Sequence, residues 1–229
     1  AKNAISAFLD WCWGNGMIDG NPARQLTNDQ PHLRRGGRKA QRLPEVLYPQ
    51  ERTALFDLLA RNATPRDIRN LAMCGFILDT GVREDELANL KWHQARQFFE
   101  EDPIVRVIGK GNKERAIRPR TEYRDLLEDY LADTPEIHPG EPVFRRVRRY
   151  RGGRNAQRPF DGLSASTVYR AVRGMLRLAG VGHKAQHGPH LLRHTAASLM
   201  LADGMTLRQV QENLGHSSIQ TTERYLHLL

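Results

Sequence analysis

The chain has 229 residues, 39% of them apolar, with a formal charge of +9 and an isoelectric point near 10. That length buries a full core, no apolar run nears the ~20 residues a bilayer demands, and no charged-then-apolar leader is visible, so a soluble cytoplasmic protein is expected. Cys12 and Cys74 are too few for a disulfide framework or a thiolate metal site, while 29 of the 35 basic residues are arginine, whose planar fork suits phosphate oxygens and predicts a nucleic-acid partner.

Residues 4–14 carry the apolar spacing of an amphipathic helix ended near Gly14 or Gly16. With Ala1 already inside that pattern, residues 1–20 read as the last helix of a preceding, otherwise missing domain. Residues 21–44 read as a basic linker, rich in Gly, Asn, Pro and Arg and holding Arg34, Arg35, Arg38, Lys39 and Arg42. Residues 45–229 form the main domain. Pro49 suits the first turn of a helix reaching about Arg61, and Pro65 opens another through Leu78 that is apolar on most sides, the expected core helix, stopped at Gly81. Arg83 follows that stop directly, and Glu84, Asp85 and Glu86 crowd the favoured first turn of a short helix.

The β-rich run 104–108, the glycine-flanked turn 109–113 and residues 114–118 predict a hairpin with Lys110 at or near its tip. Residues 121–132 form an amphipathic helix. Seven arginines then occur in fourteen acid-free residues, and Arg145, Arg146, Arg148, Arg149 and Arg151 are the expected backbone-tracking contacts to a nucleic acid. Helices follow at 164–180 and 188–202, the second with His190, Arg193 and His194 on one face. Thr206 with Gln209 and Ser217 with Gln220 match capping boxes, placing helix starts near Leu207 and Ser218, and the last helix carries Tyr225. The fold class is mainly α with one small β-hairpin. His183, His187, His190 and His194 invite a metal, but Leu191 stands where a zinc protease carries glutamate and no cysteine lies near, so no metal is assigned.

A conjunction remains: Arg83, Lys110, a His-x-x-Arg-His run, Leu214-Gly215-His216-Ser217 and a late tyrosine. These suit a reaction at a phosphodiester, with arginines clamping oxygens and the phenol attacking phosphorus. The stretches Thr80–Leu87, Val107–Arg115, Pro189–His194, Leu214–Ser217 and Thr221–Tyr225 resemble, in order and spacing, the catalytic domain of the tyrosine recombinases, the phage-integrase family, most nearly its Xer-like branch. The resemblance covers residues 45–229 and implies that family's catalytic-domain fold. It also implies roles. Tyr225 attacks the scissile phosphate to leave a 3′-phosphotyrosyl link, and Arg83 and Arg193 hold the non-bridging oxygens. His190 takes or shares the tyrosine proton, Lys110 protonates the leaving 5′-oxygen, His216 donates to the phosphate, and Glu86 supports Arg83. Two transesterifications conserve the bond energy, so neither cofactor nor metal is implied. The implied partner is double-stranded DNA with a specific recombination site, bound by a tetramer of the full-length protein. Four residues follow Tyr225, too few to pack on a neighbour, so the 229-residue chain alone is expected to be monomeric. A type IB topoisomerase and a non-catalytic DNA-binding regulator are the competing readings.

Overall fold

The structure is a computed structural model that describes residues 9, 12–13, 16–19, 44–61, 63–109, 111–134, 136–146, 162–184 and 188–226. The chain divides into two compact units, 1–43 and 44–229. In the first, a helix ends where Met17 N donates to Cys12 O and Gly16 N to Trp13 O, both at 3.0 Å, with Gly16 at φ +68°. This is the paired-bond stop that a left-handed glycine permits.

The second unit begins with α1 (Pro49–Phe56), whose last turn tightens into a 3-10 segment, Asp57–Ala60. Helix α2 (Pro65–Thr80) starts on Thr64, which accepts from Asp67 N while Asp67 returns a bond to Thr64 N, and stops at Gly81, φ +66°. Every residue of α2 from Arg69 to Thr80 is buried, which is why the sequence there lacks a polar face. Phe76 meets Phe98 and Phe144 at ring-centroid distances of 5.4 and 5.9 Å. Helices α3 (Glu84–Asn89) and α4 (Trp92–Ala95) follow, then strands β1 (Val105–Gly109) and β2 (Lys113–Ile117), paired antiparallel from Val105↔Ile117 to Gly109↔Lys113. Gly111 and Asn112 close that hairpin with φ of +77° and +60°.

Helices α5 (Arg124–Ala132), α6 (Ala165–Leu178) and α7 (Pro189–Ala202) pack around α2. The chain continues with α8 (Leu207–Leu214) and a short α9 (Ile219–Glu223). The Thr206–Gln209 capping box forms as expected, whereas α9 starts after Ser218 with no side-chain cap, so the Ser217–Gln220 box does not form. The architecture is mainly helical with one two-stranded antiparallel sheet among the described residues. No helix among them is long and apolar enough to cross a membrane. The apolar interior is in two parts: a large core around α2, and a smaller cluster of Ala197, Met200, Leu201, Val210, Leu214 and Tyr225.

One expected DNA contact is corrected here. Arg145 is only 3% exposed: its guanidinium donates to Pro142 O at 3.1 Å and to Glu141 Oε2 at 2.9 Å. Its backbone N donates to Tyr130 Oη and its carbonyl accepts from the buried Arg69. Arg145 therefore fastens the base of the arginine-rich stretch, where it bridges Gly162, and offers no free charge to a phosphate. Arg146 is exposed, and Arg148, Arg149 and Arg151 lie outside the described residues.

Candidate active site

Three guanidiniums converge on the C-terminal end of α8. A helix end leaves its last carbonyls without intrahelical donors and carries the negative pole of the helix dipole, so cations are favoured there. In this chain, three consecutive carbonyls are each taken by a different arginine. Asn213 O accepts from Arg115 Nε at 2.9 Å, Leu214 O from Arg193 Nη2, and Gly215 O from Arg83 Nη2 at 3.5 Å. Arg193 comes from α7, Arg83 from the N-cap of α3 and Arg115 from β2, so the knot ties together elements that are distant in sequence. Gly215 makes the approach possible. Its φ of +65° belongs to the left-handed region, and an added Cβ would lie 3.1–3.2 Å from the Arg115 side chain.

Arg193 is buried, and its other donor, Nη1, holds Gly81 O at the end of α2. Burial, and then the neighbouring Arg83 charge, lowers its pKa to about 10, which leaves it charged at neutral pH. Glu86 is 1% exposed and collects four donors: Arg83 N and Nη1, both at 2.9 Å, and Arg115 Nη1 and Nη2 at 2.6 and 2.8 Å. Burial alone would raise its pKa, but the bonds and charges of Arg115 and Arg83 win and hold it at about 2. Three guanidiniums against one carboxylate leave an excess of two positive charges, assembled before any phosphate arrives.

Tyr225 is 2% exposed and sits in the smaller apolar cluster. Its hydroxyl hydrogen-bonds His194 Nδ1 at 2.7 Å, and its ring lies nearly parallel to that of His216, centroids 6.4 Å apart. Burial raises the phenol's pKa, against the pull of Arg193 and Arg224. His216 bonds Thr222 Oγ1 through Nδ1 at 2.9 Å. Burial and the nearby arginines lower its pKa to about 3, and burial with His190 lowers that of His194 to about 4, so both rings are neutral at pH 7.

The expected proton partner of the tyrosine does not meet it in the free chain. His190 is exposed, with Nε2 3.9 Å from Glu84 Oε1, and the group that the Tyr225 hydroxyl meets is His194, one turn further along α7. The reason is positional: Tyr225 packs with Ala197, Met200 and Leu201 in the later part of α7, which His194 adjoins and His190 does not. Arg83, Glu86, Arg193, His216 and Tyr225 are thus brought into one neighbourhood. Lys110 lies outside the described residues, although the preceding Gly109 packs against the Arg115–Glu86 pair, where a Cβ would be 3.3 Å from each.

Sequence reasoning missed Arg115 as a site residue, and a signal for it existed. Arg115 pairs with Val107 and shares its strand face with buried Ile117, so it is a charge on the apolar side of a hairpin, and such a charge requires a partner. His194 was visible only as a neighbour of Arg193.

A profile of the phage integrase family matches residues 45–229. The tyrosine recombinase XerC of Lactobacillus delbrueckii subsp. bulgaricus is 32% identical over 227 residues, covering 99% of this chain and 70% of the relative. XerC of Corynebacterium efficiens is 34% identical over 226 residues, covering 98% of this chain and 65% of the relative. Among solved structures, the XerH site-specific recombinase bound to palindromic difH substrate, a post-cleavage complex, aligns with a TM-score of 0.64 at 25% identity, over 84% of this chain and 52% of that one. The XerA recombinase shares the fold, with a TM-score of 0.62 at 23% identity over 100% of this chain and 79% of that one. The chain therefore spans about half of the XerH chain and some two thirds of the curated relatives.

Proposed function

The chain belongs to the phage integrase family of tyrosine recombinases, DNA-cleaving and rejoining enzymes, and from that premise we propose that it performs site-specific recombination through a 3′-phosphotyrosyl intermediate on Tyr225. The phenol oxygen attacks the scissile phosphorus, the bond to the 5′-oxygen breaks, and that oxygen leaves as a hydroxyl. Attack by a second strand's 5′-hydroxyl reverses the step and restores a phosphodiester, so atoms and bond energy balance without a cofactor.

The observation that carries this reading is the arginine knot beside Tyr225. As the phosphorane forms, negative charge grows on the non-bridging oxygens, and fixed donors in a partly dry site stabilise it without reorganising. Arg83, 33% exposed, and Arg193 are the proposed clamps. His216 is the proposed donor to a phosphate oxygen, oriented by Thr222. Lys110 is proposed to protonate the leaving oxygen. In the free chain the nucleophile is buried and bonded to His194, and the phenol is proposed to leave that bond as it reaches the phosphate. His190, one turn earlier on the same helix face, is then the proposed acceptor of its proton.

DNA is the partner. Exchange between two duplexes requires four strands to be cut, hence four nucleophiles, which is the argument for a tetramer of the full-length protein on paired sites. The cytoplasm is proposed as its location because DNA is the substrate. The exposed Arg146, with Arg148, Arg149 and Arg151, is proposed to add backbone contacts. The test uses full-length protein and duplexes selected for binding from a randomised pool, each nicked so that cleavage releases a short fragment and traps the adduct. A covalent adduct with the parent and none with Tyr225→Phe supports the reading, while an adduct that persists in the variant overturns it.

A further inference from the structure

We propose that Arg115 is a positioning residue for the cleavage reaction: it neutralises and holds Glu86, so that the charge of Arg83 stays available to the phosphate. The inference rests on the recombinase reading above and adds to it a residue with no role in it.

The geometry separates Arg115 from its neighbours. Both of its terminal nitrogens face the two oxygens of Glu86 in a parallel fork, at 2.6 and 2.8 Å, and its Nε is on Asn213 O. At 15% exposed, with three of its donors already placed, it is less available to a ligand than Arg83, which has Nη1 on Glu86 and a long 3.5 Å contact to Gly215 O. Glu86 is buried and stays ionised. Removing one cation from a buried carboxylate leaves its charge poorly compensated and strengthens its demand on the cation that remains. Without Arg115, Glu86 would draw Arg83 into that fork, and the site's excess would fall from two positive charges to one. The same guanidinium packs on Gly215, next to His216, and on Gly109, next to Lys110. Arg115 thus bears on where His216, a further proposed participant, stands while touching no reacting atom.

Two alternatives predict different chemistry. If Arg115 itself bound phosphate, or merely stabilised the hairpin, the charge on Glu86 would not matter. If it neutralises Glu86, removing the Glu86 charge should compensate for its loss. The experiment compares the parent, R115Q, R115K, E86Q and the double variant R115Q/E86Q in full-length protein. The readouts are the rate of adduct formation on the nicked duplexes, affinity for the same duplexes, and the rise in melting temperature caused by inorganic orthovanadate, a phosphorane mimic that needs no cleavage.

R115Q should slow adduct formation by about 100-fold, the scale of losing one oriented electrostatic contact, while duplex affinity changes less than about threefold, since few phosphate contacts are lost. R115K, which keeps the charge but not the fork, should fall between R115Q and the parent. R115Q/E86Q should recover about tenfold over R115Q, the coupling expected of groups in direct contact, and should regain both melting temperature and the vanadate shift. A double variant as slow as R115Q or slower, with no recovery in melting or vanadate response, overturns the proposal. A parent that forms no adduct overturns the recombinase reading instead, and the vanadate comparison then still decides the role of Arg115.

Discussion

The two halves of the candidate site are built differently. Each guanidinium of the arginine knot bonds to two other residues, drawn from α3, the end of α8 and the glycines that close α2 and α8, and the acid at its centre is saturated with donors. Among the described residues, the tyrosine is held by one side-chain bond, to His194, by a small satellite cluster, and by a backbone bond to Thr222 of a five-residue helix that ends before it and has no side-chain cap. Charge stabilisation depends on donors that do not reorganise, which favours fixing the arginines permanently. The proposed nucleophile is buried and has to reach a phosphate, and the short, uncapped helix before it is the kind of element that opens at low cost. The comparison teaches that this chain fixes its proposed phosphate clamps in advance and holds the proposed nucleophile beside them less firmly.

The largest break in the comparison is at the nucleophile. Tyr225→Phe removes one buried hydroxyl and its bond to His194, so it should lower stability by about 1 kcal/mol and leave DNA affinity nearly unchanged, yet reduce adduct formation below detection. On the other side, Arg193→Lys keeps a positive charge but loses the fork that spans Gly81 O and Leu214 O. It should slow adduct formation by about 10²–10³-fold, and also lower stability by about 2 kcal/mol through the buried carbonyls left without donors. A variant that is slow but fully stable would show that Arg193 does not tie the two helix ends together.

A smaller effect tests the glycine that lets the knot close. Gly215→Ala must adopt φ +65° and meet Arg115 at 3.1–3.2 Å, so it should cost roughly 1–3 kcal/mol and slow cleavage through Arg115 and His216. Normal activity would mean that the turn does not position them.

The smallest expected effect concerns acid. His194 and His216 titrate at about 4 and about 3 in the fold but near 6.5 in an unfolded chain, so between those values the unfolded state binds more protons. The stability they contribute is complete above pH 6.5 and is lost as pH falls toward 4. Glu86 stays ionised down to about 2, so acid should loosen the tyrosine's side first. The drop in melting temperature between pH 6.5 and 4.5 should be smaller in His194→Gln than in the parent. An unchanged slope would remove His194 from the account.

Local chemistry was legible in the sequence. The stop of α2 at Gly81, the Thr206–Gln209 cap and the hairpin around Gly111 all follow from backbone preferences of a few neighbouring residues. What escaped were pairings across long separations: Arg115 with Glu86, 29 residues apart, Arg115 with Asn213, 98 apart, and His194 with Tyr225, 31 apart. Periodicity says which face a residue occupies but not which side chain meets it there. Arg145 misled for a related reason. An arginine inside a basic run reads as solvated, and its burial depends on Glu141, Pro142 and Tyr130, which no charge count reveals.

The most direct test of the contrast between a fixed knot and a movable nucleophile is a single NMR titration of the protein with a binding-selected duplex. Arginine side chains would carry nitrogen-15 and the tyrosines fluorine, with Tyr225→Phe assigning the nucleophile's signal. The account predicts that the Arg115 Nε–H, bonded to Asn213 O, is slow to exchange before DNA is added and shifts little afterwards. The Tyr225 signal should change markedly as the phenol leaves His194. An Arg115 signal that becomes protected only with DNA, beside a Tyr225 signal that does not move, would contradict it.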